Sequence, residues 1–467
     1  MTASHPSFLL VNPGYSFDAE SIWASISSVQ PPLGIASLAA TLEKNGFAVA
    51  IKDFQADSGG YEIDRAFLQN ADYDYLGISA TTPQTNAGEA IAALYKQFHP
   101  RAQVIFGGVH PTTMPDEVLT NSVADIVVRG EGELTLLEIA QGKPLRDILG
   151  ISYKTSIAGG GGVIHNPDRP FIENLDDLPN PAYHLLPMSK YHPAVGSYKR
   201  LPAINVMSAR GCPGVCTYCH RQMGKRVRSR SGRRVAEEVK YLHETYGINE
   251  ISFYDDTFTA NKDEVYSFIA ALKEFNLDMT WCCFSRVDAV DAPLLAAMAQ
   301  AGCHQLMFGV ESANKEVRKN IKKGISLERV KEAVRDTKNV GIEVRVAFML
   351  GNPGETRATI METIRFANEL DPDLVIYNMT TPYPGTEMFK WADDNGYLLT
   401  KDWRLYDLRH PVMELPTISN QELSELYTYA YRKFYWRPRY LCKRLKMLRS
   451  FTDIKNAFKG LLATMRT

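Results

Sequence analysis

A chain of 467 residues, 45% of them hydrophobic, is long enough for about three domains and several buried cores. Its formal net charge of -1 supplies no general field for nucleic acid, so no nucleic-acid partner is expected, and no apolar run is long enough to cross a bilayer. Nothing basic precedes the first apolar stretch, so the start does not read as a signal peptide and the expected location is cytoplasmic. Seven cysteines, unevenly placed, are too few for a disulfide framework, and a reducing compartment suits them.

From residue 8 to about 140, short strand-like runs alternate with longer helix-like ones, the pattern of a parallel sheet covered by helices. Strands are expected at 8–11, 48–52, 75–79, 103–106 and 125–128. A helical repeat at 33–42 stops at Lys44-Asn45-Gly46, with glycine past the helix end. Turns follow several strands, at Asn12-Pro13-Gly14, Ser79-Ala80-Thr81-Thr82-Pro83 and Gly107-Gly108-Val109-His110-Pro111. Ligands of open α/β sheets bind at the carboxyl ends of the strands, so these turns line one crevice. Residues 1–141 therefore read as a Rossmann-like parallel-sheet domain.

Residues 142–200 break the rhythm with four glycines at 159–162 and several prolines, and read as a linker with a small hairpin at the glycines. A disordered insert is the alternative. Tyr183, Leu185, Leu186 and Tyr191 favour packed structure. A second α/β series then occupies 201–395. Its strands are expected at 204–207, 250–254, 279–284, 304–310, 343–350 and 374–378, with helices between them. Six such units suit a barrel or partial barrel with functional residues at the carboxyl ends. A helical, basic C-terminal region fills 396–467.

Between the first strand of this series and its first helix stands Arg-Gly-Cys212-Pro-Gly-Val-Cys216-Thr-Tyr218-Cys219-His. Three thiolates on one loop can hold three irons of a [4Fe–4S] cube and leave the fourth open for chemistry. Structural zinc usually takes four ligands in two separated pairs, which this triplet does not offer. A zinc knuckle or buried thiols on a turn remains the plainer account. Cys282, Cys283, Cys303 and Cys442 read as small packing residues.

The C-x3-C-x2-C spacing with Tyr218 before the last cysteine resembles the radical S-adenosylmethionine (SAM) enzymes. In that family the open iron chelates the methionine moiety of SAM, and one electron from the cube splits SAM to a 5′-deoxyadenosyl radical. The resemblance implies a (βα)6 partial TIM barrel, with SAM contacts at Tyr218 and at strand ends. Asp255 or Asp256, in Tyr254-Asp255-Asp256-Thr257-Phe258, would meet the methionine amino group, with helix capping as the other use of such a pair. Glu311 and Ser312 match a position that contacts the ribose or methionine end. Gly351 and Pro353, in Leu350-Gly351-Asn352-Pro353-Gly354-Glu355, match the adenine-side turn. Arg345, a charge inside an apolar strand, implies a buried partner or an anionic ligand, for which the SAM carboxylate is one candidate.

A five-strand α/β domain ahead of a radical barrel resembles the cobalamin-binding subgroup, which includes methyltransferases and a ring-forming cyclase of bacteriochlorophyll synthesis. The resemblance covers nearly the whole chain. Corrin domains of the methionine-synthase kind carry D-x-H-x-x-G after the second strand, whereas this chain has Asp53-Phe54-Gln55-Ala56-Asp57-Ser58, with Gln55 in place of the histidine. Ser79, Thr81, Thr82, Gly107 and Gly108 suit the nucleotide tail of a corrinoid. His110 is either a ligand or a packing residue. A fold that binds no corrin is the alternative.

The implied activity is cobalamin-dependent radical methylation of a weakly activated carbon in a small-molecule or lipid substrate. Oxidation, cyclisation or rearrangement without methyl transfer uses the same cofactors. A non-catalytic iron–sulfur binding module is the reading from another class. An electron donor such as flavodoxin or ferredoxin is implied. Residues 432–466 interleave aromatic and basic side chains against a single acid, Asp453, which fits either peripheral membrane contact or a solvated helical cap.

Overall fold

The computed structural model describes residues 5–15, 28–58, 62–155, 162–194 and 196–447. Among these, the first sheet has the strand order β2-β1-β3-β4-β5-β6-β7. It is built from β1 (Phe8–Asn12), β2 (Val49–Asp53), β3 (Tyr75–Ser79), β4 (Gln103–Gly107) and β5 (Ile126–Val128), all parallel, then β6 (Ile151–Lys154) and β7 (Val163–His165), which run antiparallel. The near-continuous apolar run Phe8-Leu9-Leu10-Val11 follows from burial on both faces. Phe8 and Leu10 pack with Ile35, Ala39 and Leu42 of helix Leu33–Lys44 on one side. Leu9 and Val11 pack with Ile91 and Tyr95 of helix Thr85–Phe98 on the other.

The second sheet is wholly parallel, in the order β15-β14-β13-β12-β11-β8. Its strands are β8 (Ala203–Val206), β11 (Glu250–Phe253), β12 (Thr280–Ser285), β13 (Cys303–Glu311), β14 (Glu343–Leu350) and β15 (Leu374–Met379). The short strands β9 (Ala209–Arg210) and β10 (Arg228–Ser229) pair separately, antiparallel. Helices cover one face, and Ser231, Asp291, Ser326 and Thr356 cap four of them by accepting from the third residue on. The opposite face of this open six-unit parallel sheet is the lumen of a partial TIM barrel. The main strands expected from the apolar pattern lie within one residue of those observed.

The connecting segment differs from a linker. Its hairpin, β6 and β7, extends the first sheet past residue 141, because β5 would otherwise be a bare edge and Ile151 and Tyr153 need a core. Residues 159–161 of the glycine run lie outside the described residues. The chain then straps the two units together. Tyr191 Oη donates to Asp53 at 2.8 Å on the first, and Tyr183 Oη donates to Glu238 at 2.6 Å on the second.

After the barrel, helix Asn420–Tyr435 lies along β15. Residues 448–467, most of the basic tail, lie outside the described residues. No described helix is long and apolar enough to cross a membrane.

Candidate active site

The cysteine loop leaves β8 and is pinched at its base by the β9–β10 ladder, where Arg210 pairs with Arg228. Gly211 has φ +93, and a Cβ there would lie 2.4 Å from Arg226 O, so only glycine lets the loop fold back. A Cβ on Gly214 would stand 3.3 Å from Cys212 Sγ and 3.9 Å from Cys216 Sγ, so these thiols converge on one side of the backbone. Cys219 N donates to Cys216 O at 3.3 Å, which brings the third thiol onto the same turn. A hydrogen bond from Cys219 lowers the Cys216 thiol to about 6; burial opposes this, while Lys323, Tyr218 and Arg286 assist. The thiolate is the metal-binding form. Converging thiols flanked by two cations suit a negatively charged iron–sulfur cube.

Lys323 is the residue the sequence pattern did not single out. It donates to Glu311 at 3.0 Å and to Tyr218 Oη at 3.4 Å, and Tyr218 Oη donates to Glu311 at 3.1 Å. A Cβ on Gly309 would lie 2.4 Å from Glu311 Oε1, so glycine makes room for this buried trio. Glu311 itself sits at φ +70, an uncommon conformation for a non-glycine residue. Tyr218 and Glu311 are thus brought together under the thiols. Ser312 is fully buried and turned away, 3.3 Å from Thr363 Oγ1 on a covering helix.

The adjacent acids divide their work. Asp255 accepts from Ser208 N at 2.7 Å, from Ala209 N at 3.0 Å and from the Ser208 hydroxyl, fixing the start of the cysteine loop. Burial pushes its carboxyl up to about 6. Asp256 is exposed, and its carboxylate has no hydrogen-bond partner among the described residues. Neither acid accepts as the N-cap of helix Lys262–Glu274. The turn after β14 is tied by Glu355, which accepts from Gly351 N at 2.6 Å and Asn352 N at 2.9 Å. Gly351 has φ +91, and Pro353 O accepts from Asn320 Nδ2 at 3.0 Å. Arg345 stands apart from this group, five residues before the end of β14.

Between the two units lies a cavity of about 370 Å³. Ser79, Thr81, Gly107 and Gly108 line it from the first sheet, and Arg210 and Met223 from the cysteine loop. Gly108 has φ +95, and a Cβ there would meet Ala80 O at 2.7 Å, so glycine lets two strand-end turns touch. Four residues expected at a corrinoid do not line this cavity. Asp53 accepts from Asn12 Nδ2, Gln55 N and Tyr191 Oη, and Gln55 Oε1 accepts from Tyr15 N at 2.5 Å, so both are spent on local structure. Thr82 and His110 are buried and face each other, and the His110 ring packs on Trp403 with centroids 5.1 Å apart. Burial lowers His110 to about 4, keeping it neutral. Of the buried polar atoms without partners, Gln222 Oε1 belongs to the cavity wall, whereas His110 Nε2 and both ring nitrogens of His220, which follows the last cluster cysteine, lie off it. Backing glycines, hydroxyls and the orphaned Gln222 oxygen fit a corrinoid.

A cysteine-loop partial barrel carrying a nucleotide-type α/β domain defines a class of two-cofactor radical enzymes. Residues 206–367 match the model of the Radical SAM superfamily, and residues 20–140 match the B12 binding domain. The chain is 38% identical over 444 residues to an uncharacterized methyltransferase of Pyrococcus horikoshii, covering 94% of each. It is 27% identical to the anaerobic magnesium-protoporphyrin IX monomethyl ester cyclase of Rubrivivax gelatinosus, over 93% of this chain and 78% of that one. Its fold is similar to that of the cobalamin-dependent SAM radical enzyme OxsB with aqua-cobalamin and SAM bound, with TM-score 0.75 and 18% identity, over 98% of this chain and 70% of that one. The chain belongs to the cobalamin-binding radical SAM enzymes. Its cofactors are a [4Fe–4S] cluster, SAM and cobalamin.

Proposed function

We propose that this enzyme methylates a weakly activated carbon of a small molecule. The observation that carries the proposal is the placement of one loop, whose thiols face Arg286 and Lys323 while its flank, Arg210 and Met223, walls the cavity of the first domain. When bound, the cluster supplies the electron that cleaves SAM, and cobalamin supplies a methyl carrier.

Cys212, Cys216 and Cys219 hold the cluster. Arg286, anchored on Asp288 at 2.7 Å, and Lys323 offset its charge. Asp256, exposed and without a hydrogen-bond partner among the described residues, would accept from the amino group of SAM, and the turn at Gly351 and Pro353 would back its adenine. Tyr218 and Glu311 position the loop from beneath, while Asp255 and Ser312 are structural. Ser79, Thr81, Gly107 and Gly108 receive the nucleotide tail of cobalamin. A one-electron donor protein of the flavodoxin or ferredoxin kind would supply the cluster's electron.

Anaerobic holoenzyme given SAM, a reductant and a pool of candidate acceptors tests this. Methylation yields S-adenosylhomocysteine together with 5′-deoxyadenosine. The likeness to the cyclase supports a second reading, oxidation or cyclisation with the same cofactors, for which 5′-deoxyadenosine forms without S-adenosylhomocysteine.

A further inference from the structure

The lumen of the barrel carries one row of side chains that the cofactors do not explain. Cross-strand register places Phe284 beside Met307, Met307 beside Arg345, and Arg345 beside Leu374. One residue past the paired ends of β8 and β11, Met207 and Tyr254 continue the row, and the Tyr254 ring lies 5.4 Å from that of Phe284. Side chains alternate between faces along a strand. The neighbours Val206, Phe253, Cys283, Leu306, Val344 and Val375 are at most 3% exposed and point into the helix-covered core. The row itself is only partly covered throughout, and Tyr254 is 37% exposed. It therefore faces the open lumen.

Arg345 is the one charged member of the row. Its Nε is shut off from solvent and donates to nothing, and no hydrogen bond or ion pair of its guanidinium occurs among the described residues. Glu343, two residues back on the same face, accepts instead from Gln305 Nε2 at 3.2 Å. A guanidinium stays charged at any ordinary pH, and a covered N–H without an acceptor is costly. The arginine is thus built for an acceptor that the chain does not supply.

The SAM carboxylate has other cations at hand. The cations beside the cluster thiols are Arg286 and Lys323. Arg345 lies five residues before Leu350, where β14 delivers its turn, roughly 16 Å along the strand. Resting on the catalytic reading above, we infer that Arg345 selects a substrate bearing an oxyanion, a carboxylate or a phosphate-type group, on an otherwise apolar body. Planar donors in a fixed fork match either oxyanion, and Met207, Phe284, Met307 and Leu374 supply the apolar wall.

Calorimetric titration of anaerobic holoenzyme at fixed ionic strength tests this with two probes, hexanoate and methylphosphonate. Wild type is expected to bind at least one of them saturably, and the tighter arm names the oxyanion class. Arg345→Met should weaken that binding by about tenfold or more, the loss expected for a charge-assisted hydrogen bond. Arg345→Lys should keep part of it. SAM affinity should stay within about twofold in Arg345→Met, as for a site with no shared partner. Ligand-free Arg345→Met should melt at or above wild type, since it has no partner to lose.

Failure of both probes to bind, or binding unchanged in Arg345→Met, overturns the inference. So does a loss of SAM affinity, which would make Arg345 a cofactor ligand, or a marked fall in Tm, which would reveal a protein partner. A wild type that forms no 5′-deoxyadenosine defeats the catalytic reading alone, because the probe titration does not depend on SAM cleavage.

Discussion

Glu131 and Arg228, with side chains each 3% exposed, meet at 3.0 Å across the boundary between the two α/β units. Glu131 also accepts from Arg210 Nη1 at 2.8 Å and from Ile172 N at 2.7 Å. Because Arg210 and Arg228 form the ladder at the base of the cysteine loop, one carboxylate of the first domain grips both ends of the cluster loop. Glu133 accepts from Arg210 Nη2 at 2.6 Å across the same boundary, so two carboxylates of the first domain hold the base of the cluster loop against the cavity.

Burial works against the charged form of Glu131, but hydrogen bonds from Arg228, Arg210 and Ile172 outweigh it and hold the carboxyl below its usual value. A depressed carboxyl stabilises the fold above its unfolded pKa of about 4.3, and that contribution is lost as pH falls through the folded value. Glu131→Ala leaves two buried guanidinium groups short of a partner and should cost about 3 kcal/mol or more. Denaturant unfolding at neutral pH measures the loss, and iron content after reconstitution reports the loosened loop. A variant that keeps both stability and iron content removes the clamp from the account.

Replacing Cys212, Cys216 or Cys219 singly by alanine should abolish cluster retention and 5′-deoxyadenosine formation. Cys283→Ala is the matched control, since Cys283 is 3% exposed and packs in the barrel core. It should keep its iron and its visible absorption. Iron analysis and the absorption spectrum of anaerobically reconstituted protein decide between the two outcomes.

The apolar periodicity revealed both sheets because parallel strands must be continuously apolar, and the Cys212-to-Cys219 spacing revealed the metal site because its ligands are local in sequence. What stayed hidden depends on contacts between distant segments. Lys323 lies past β13 on a polar stretch like many others, and only the fold brings it to Tyr218 and Glu311. Glu131 sits in an ordinary glycine-flanked turn, and its role appears only opposite Arg210 and Arg228. Gln55 and His110 drew notice by position in a motif, yet local hydrogen bonding and the Trp403 ring claim them. The hairpin at β6 and β7 was legible as a hairpin, but its docking on β5 was not, because edge pairing has no signature within the hairpin itself.

The pair Asp255 and Asp256 predicts two different phenotypes. Asp256→Asn should lower SAM affinity by about tenfold with little change in stability, since it removes a charge-assisted contact and no protein hydrogen bond. Asp255→Asn should alter stability in a pH-dependent way. Burial raises Asp255 to about 6, so the fold favours its protonated form. That contribution is complete below the unfolded value of about 3.9 and is lost as pH rises through 6. The stability of wild type relative to Asp255→Asn should therefore fall between pH 4 and 6 and level off above. Urea midpoints for both proteins across that range check the sign, and a flat difference would count against a raised Asp255.

The last strand of the barrel shows how an open parallel sheet ends without a bare edge. Tyr431 Oη donates to Tyr377 O at 2.9 Å and accepts from Tyr377 N at 3.2 Å. One helical turn on, Tyr435 Oη donates to Val375 O at 2.7 Å and accepts from Val375 N at 3.2 Å. Spacing of four on helix Asn420–Tyr435 matches alternate residues of β15, so two phenols serve where a seventh strand would otherwise pair. Tyr431→Phe and Tyr435→Phe each leave a backbone N–H and C=O unsatisfied at little cost in packing. Each should cost about 1–3 kcal/mol, and the double variant more than either. Amide hydrogen exchange locates the effect: protection should drop at Val375 and Tyr377 while β11 and β12 stay protected. Exchange that rises evenly through the barrel would mean that the helix, rather than the two hydroxyls, holds the edge.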